Sequence, residues 1–378
     1  MSDTTQTIAP VKKKSERIIA FDLMRGYFLF VILMDHLGFY PNGLDFLTGR
    51  GSLYVSTAEG FFVTSGLVLG IVRGRKLLNQ PFSHAARLLW KRAIQLYITS
   101  IVLTLFFTAI GQLFLSNPGL KYGVFTDWAN WGDLIWRTLT LQYTYGWADF
   151  LRYYALFMFV APGALWLLRK GKWYILTLIS AGLWCLYPLI PRETSMAQPF
   201  SWQFIFFAGL TVGFYWEPLL AKWRTFSLKR RQIISKTVIA AFLITAAISF
   251  FLVFGAQRTD VIGNITEPIH HAIGGYFDKD RLTIPRILLG TVWFWGLFAL
   301  VRHFESKIIK YFGTFLLGFG THSLYIYTIS AFVIFFAHLI VPYPGFHNIF
   351  LNFLAAVVVT GTVWLAYKGK ILMKIIPR

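Results

Sequence analysis

The sequence predicts an all-α integral membrane protein of about ten transmembrane helices with both termini in the cytoplasm. Three observations carry that reading. Of 378 residues, 56% are hydrophobic and 14% are charged, against roughly 25% charged in soluble domains. Ten apolar windows of about 20 residues, enough to cross a bilayer as helix, fall at 17–38, 53–72, 92–115, 150–168, 173–190, 200–217, 236–255, 285–302, 321–341 and 348–367. Lysine and arginine are also unequally divided between the connections. Those on the N-terminal side hold 26 and the opposite set 9, with Arg25 inside the first window completing the 36. Cytoplasmic loops keep the excess of positive residues, which places the termini. The formal charge of +20 is therefore topological, and no nucleic-acid partner is expected.

One membrane domain (17–368) is expected between a polar cytoplasmic N-terminus (1–16) and a basic cytoplasmic tail (369–378). The first window is long, charged and without a small-residue cleavage site, so it reads as an uncleaved span. The single cysteine, Cys185, rules out a disulfide framework.

The first helix is the unusual one. Within ERIIAFDLMRGYFLFVILMDHLGFY it carries Asp22, Arg25, Asp35 and His36, and an ionisable residue at the bilayer centre costs roughly 2.5–3.5 kcal/mol. Eleven residues separate Arg25 from His36, which returns them to within about 20° on a helix and sets them about 16 Å apart along its axis. Asp22 falls on the same face. Such a face points at protein or at a polar cavity, not at lipid.

The second helix, AEGFFVTSGLVLGIVRGRK, brings Glu59 to about the depth of His36. A carboxylate, Glu59 or Asp35, beside the imidazole makes a base and its orienting partner; a structural neutralising pair is the other reading. Gly60, Gly66, Gly70 and Gly74 read as a stripe for close helix packing. Arg73 and Arg75 at its inner end, with Arg92 at the start of the third helix, satisfy topology and also offer guanidinium forks to phosphate oxygens. Arg25 extends that set into the membrane.

The connection 116–149 is rich in tryptophan and tyrosine, and DWANWGDLIWRTL within it suggests an interfacial helix. It reads as an aromatic belt, or as a surface for stacking on sugar rings. His270 and His271 in the connection 257–283 lack a third ligand at metal-site spacing, so no metal is expected. Trp202 and Gln203 enter the sixth helix from outside, and His322 opens the ninth from inside.

These segments carry a resemblance. Arg25 and His36 fit the R-x10-H signature of the membrane acyltransferase-3 superfamily. FDLMRGYFLFVILMDH, AEGFFVTSGLVLGIVRGR, KRAIQLY, FSWQFIFFAGL and GTHSLYIY more closely resemble its OpgC-like branch, the succinyltransferases of osmoregulated periplasmic glucans. The resemblance implies a multi-pass protein of the bacterial inner membrane. Such a protein moves a succinyl or acetyl group from cytosolic acyl-CoA to a hydroxyl of a glycan or glucan beyond the membrane, with membrane lipid around it. It implies no permanently bound cofactor, acyl-CoA being a co-substrate. By the resemblance His36 would be the catalytic imidazole and Arg25 its partner in donor binding. With that reading, Arg73, Arg75 and Arg92 of the basic inner face would dock the donor's phosphates, His322 would stand on the donor side, and Trp202 and Gln203 on the acceptor side. The rival class is a transporter or flippase, whose ion paths also use buried ionisable residues. No internal repeat of the kind common in such proteins is evident.

Overall fold

The computed structural model describes residues 18–120, 130–190 and 197–376. The expected N-terminal segment 1–16 lies outside the described residues, as does Trp128 of the aromatic connection. The described chain is helical and forms no strand. Its α-helices are α1 (Ile19–Leu37), α2 (Asp45–Thr48), α3 (Thr57–Leu69), α4 (Phe82–Leu113), α5 (Trp131–Leu139), α6 (Asp149–Arg169), α7 (Trp173–Leu186) and α8 (Ala197–Phe214). They continue with α9 (Trp216–Thr225), α10 (Leu228–Gly255), α11 (Val261–Gly274), α12 (Ile284–His303), α13 (Glu305–Thr321), α14 (Ser323–Ile340) and α15 (Ile349–Lys368).

Each of the ten apolar windows holds a helix. By length and apolarity alone six helices are fit to cross a membrane, namely α4, α6, α10, α12, α14 and α15; α8 and α9, bent by 65°, would add a seventh as one broken span. The other windows fall short for visible reasons. α1 carries Asp22, Arg25 and Asp35, while α3 and α7 have 13 and 14 residues.

Helix limits depart from the windows where composition and hydrogen bonding part company. α4 begins at Phe82 and α10 at Leu228, well before their apolar stretches, because Arg and Lys propagate a helix nearly as well as Leu. The aromatic connection supplies α5, whose exposed face includes Ile135 and Trp136. Residues 305–321 form a helix of their own, broken from α14 at His322 (φ −118°, ψ 39°).

α1 is the axis of the core. It is buried along most of its length and packs against α3, α12, α13 and α14. Glycines permit the closest approaches: a β-carbon at Gly26 would overlap the Leu316 carbonyl of α13, and one at Gly320 would overlap that of Asp22. The expected stripe on the second helix serves the same end at two of its four positions, Gly60 and Gly74 meeting the rings of Phe28 and Phe214 instead. Gly66 meets the Phe206 carbonyl, Gly70 meets that of Leu210, and Gly213 of α8 meets that of Leu67. Small residues at such seams let backbones touch where lipid offers no hydrophobic drive.

Gly26→Ala is therefore expected to push α13 off α1 and destabilise the protein by about 1–3 kcal/mol. Gly163→Ala, where an added β-carbon meets nothing within 4 Å, gains helix propensity of roughly 0.5–1 kcal/mol. Thermal unfolding of the two variants should move in opposite directions; a parallel shift would remove the close-approach argument.

Candidate active site

α1 presents Arg25 and His36 to the same neighbours, the α13–α14 corner. Arg25 Nη1 donates to the Gly320 carbonyl at 3.3 Å, and the His36 ring meets the Tyr327 ring edge-on at 6.1 Å between centroids. The eleven-residue spacing is thus realised as one face.

At the Arg25 level, Arg92 of α4 lies within electrostatic reach of both Arg25 and Arg73, and of Tyr154. His322 sits at the α13–α14 break, two residues past the carbonyl that receives Arg25. Its Nδ1 is 2.8 Å from Thr321 Oγ1, and its ring is 5.1 Å from that of Tyr367. An open cleft of about 340 Å³ adjoins, lined by Gly313, Thr314, Gly318, Thr321 and Tyr367 among others. Of the expected donor set, Arg25, Arg73, Arg92 and His322 gather here, whereas Arg75 is exposed at the surface.

The His36 level differs from expectation. Glu59 is buried, but its carboxylate accepts from Arg286 Nε at 2.5 Å and from the Ser56 amide at 3.0 Å. That makes it the centre of a buried ion pair joining α3 to α12, not the partner of His36. Asp35 is likewise engaged. The Tyr40 hydroxyl lies 3.0 Å from its Oδ1 and 3.1 Å from Thr48 Oγ1. A phenol has one proton, so Tyr40 donates to the carboxylate and accepts from Thr48. Burial, and then the Asp35 charge, hold the Tyr40 phenol well above its ordinary pKa, which keeps it a donor. Neither carboxylate orients the imidazole. The ring of His36 is half-buried and makes no hydrogen bond among the described residues.

Other groups surround it. Lys279, in the connection before α12, lies within electrostatic reach of Asp35, His36 and Asp149. Its loop is fixed on both sides. Asp278 Oδ1 accepts from the amides of Asp280 and Arg281, Ser201 Oγ donates to the Asp280 carbonyl, and Trp184 Nε1 donates to the Arg281 and Leu282 carbonyls. A chain of bonds runs from Asp280 through Gln198 and Tyr153 to Arg152 (3.1, 2.6 and 2.8 Å), tying this loop to the turn of α6 that carries Asp149. A cavity of about 10 Å³ lies between α1 and α14, lined by Leu29, Ile32, Leu33, His36, Tyr327, Ser330 and Ala331.

The acceptor-side pair is interior. Gln203 spends its amide on Ser180 and the Phe200 carbonyl at 2.6–3.0 Å, and Trp202 is buried with its ring 5.4 Å from that of Phe62. His270 bonds Tyr54 at 2.8 Å. Asp149, Lys279, Tyr327 and Ser330 were not singled out by the sequence as site residues. Only Lys279 left a local trace, in the charged run DKDR.

A helical, apolar chain whose buried first helix carries an arginine and a histidine on one inward face has the character of a membrane protein. Its family follows from sequence comparison. The OpgC protein family matches residues 17–372, essentially the whole chain, and the protein belongs to that family. Membership points to an acyltransferase-related function. Searches of curated proteins and of solved structures found no match.

Proposed function

We propose that the protein is an O-acyltransferase of the bacterial inner membrane. It spans that membrane ten times with both termini cytoplasmic, and transfers a succinyl or acetyl group from cytosolic acyl-CoA to a glycan hydroxyl on the far side. The observation that carries the reading is the division of labour along α1. Arg25 belongs to a cationic group with Arg73 and Arg92, and His36 lies three turns further on, free of any hydrogen bond among the described residues. Three guanidiniums suit the phosphates of a CoA donor, whose neutral arm would extend along the Arg25–His36 face. The 26-to-9 division of basic residues supports the Arg25 end as the cytoplasmic one.

In this reading His36 is the general base. A ring nitrogen takes the proton from the acceptor hydroxyl as its oxygen attacks the thioester carbonyl. The C–S bond then breaks, and CoA leaves as the thiol with the proton returned by the imidazolium. Lys279 adds positive charge near the oxyanion that forms.

The test is release of free CoA by the purified protein with acetyl-CoA or succinyl-CoA, each with and without a glucan extract. Release that requires both extract and His36 is expected, and the better donor names the group. Absence of release from either donor, together with movement of glucan across a vesicle membrane, would instead establish the transporter class. Arg25→Ala removes a charge-assisted contact of about 1.5–3 kcal/mol. It should raise the apparent KM for acyl-CoA roughly 10- to 100-fold with a smaller change in kcat. An unchanged KM would remove Arg25 from donor binding.

A further inference from the structure

His36 needs an orienting partner, because the hydrogen bond made by one imidazole nitrogen decides which nitrogen keeps its lone pair for catalysis. Glu59 and Asp35, the carboxylates the sequence offered for that task, are both committed elsewhere. Three polar side chains line the cavity against the ring: His36 itself, Tyr327 and Ser330. Tyr327 spends its hydroxyl on the Trp147 carbonyl at 2.5 Å. Ser330 Oγ is buried and has no hydrogen-bond partner among the described residues.

Thr328 Oγ1 of the same helix is also unbonded among the described residues, but it does not line this cavity; a helical hydroxyl commonly folds back onto the carbonyl one turn earlier. Thr64, Thr99, Thr211 and Thr362 all do so here, at 2.7–2.9 Å. Buried hydroxyls are nearly always satisfied, and about 10 Å³ is near the room one water needs. The remaining walls are apolar.

We propose that Ser330 is the positioning residue of His36. Through one water in the cavity, its hydroxyl oxygen receives the N–H of the ring nitrogen facing it, and so leaves the other nitrogen unprotonated toward the acceptor. The same contact supports the imidazolium formed when His36 takes a proton. Its effect on turnover rests on the acyltransferase reading; its effect on the ring does not.

The experiment uses the full chain, labelled with ¹⁵N-histidine in lipid bilayers, with the His36 signals assigned by their loss in His36→Asn. Wild-type protein and Ser330→Thr should each show one pyrrole-type and one pyridine-type nitrogen, a single tautomer. Ser330→Ala should move both signals toward the exchange average. It should also lower kcat by about 10- to 100-fold, the scale of a small misplacement, with the KM for acyl-CoA unchanged. His36 signals identical in Ser330→Ala and wild type would overturn the proposal. A shift of those signals in a protein that turns over no acyl-CoA would leave the positioning role standing and overturn the acyltransferase reading alone.

Discussion

His36→Ala is expected to lower acyl transfer by about 10²–10⁴-fold, the range a positioned general base supplies, while leaving folding intact. The two halves of that expectation have separate causes. The ring is the one titratable group at the head of α1 with no bond to another described residue, so its removal orphans no partner. It is half-buried, so truncation opens the small cavity toward solvent instead of hollowing a core. Single-turnover release of CoA, measured beside thermal unfolding, reads both at once. Turnover within twofold of wild type would remove His36 from the chemistry. A collapse of stability in step with activity would make the ring a packing element.

Much of the architecture behind this prediction was legible in the chain. Hydrophobic windows are a local signal, and a helix stands in each of them. The face of α1 was legible too, because 3.6-residue periodicity alone places Arg25 and His36 together, and Gly66 and Gly70 of the second helix do meet a neighbouring backbone, whereas Gly60 and Gly74 meet side chains. What stayed hidden was the identity of partners. The sequence sets Glu59 and His36 at similar depth, and depth is all a sequence supplies; the Arg286 that claims Glu59 is 227 residues away. Asp35 adjoins His36 in the chain, yet successive helical residues point about 100° apart, which sends its carboxylate to Tyr40. Ser330 reads in sequence as one more small polar residue in an apolar helix. Only its missing back-bond and the cavity it shares with His36 set it apart. The break at His322 was hidden for a similar reason: 311–319 is apolar enough to continue into α14, and the close approach of Gly320 to Asp22 is a tertiary fact.

The Glu59–Arg286 pair supplies the other large effect. Arg286→Met would leave a carboxylate buried with only the Ser56 amide as partner, and breaking a buried ion pair from one side costs about 3–5 kcal/mol. Glu59→Gln should cost less, since an amide can still accept from Arg286, yet it leaves without a counter-charge a buried guanidinium whose Nη2 has no acceptor among the described residues. A matched double change, Glu59→Leu with Arg286→Met, should recover much of the loss, because desolvating two charges offsets most of what their attraction contributes. A double-mutant cycle of thermal stabilities measures the coupling. The same variants separate a structural pair from a catalytic one. Arg286 Nη1 also holds the Phe277 carbonyl at 2.7 Å, at the base of the loop that carries Lys279, so Arg286→Met should loosen that loop and depress transfer beyond its effect on folding. Glu59→Gln keeps the loop anchored. Below its unfolding temperature it should therefore turn over per folded molecule like wild type, with the same pH–rate profile. A displaced profile in Glu59→Gln would return Glu59 to the service of His36, through a rearrangement of the α3–α12 contact on substrate binding.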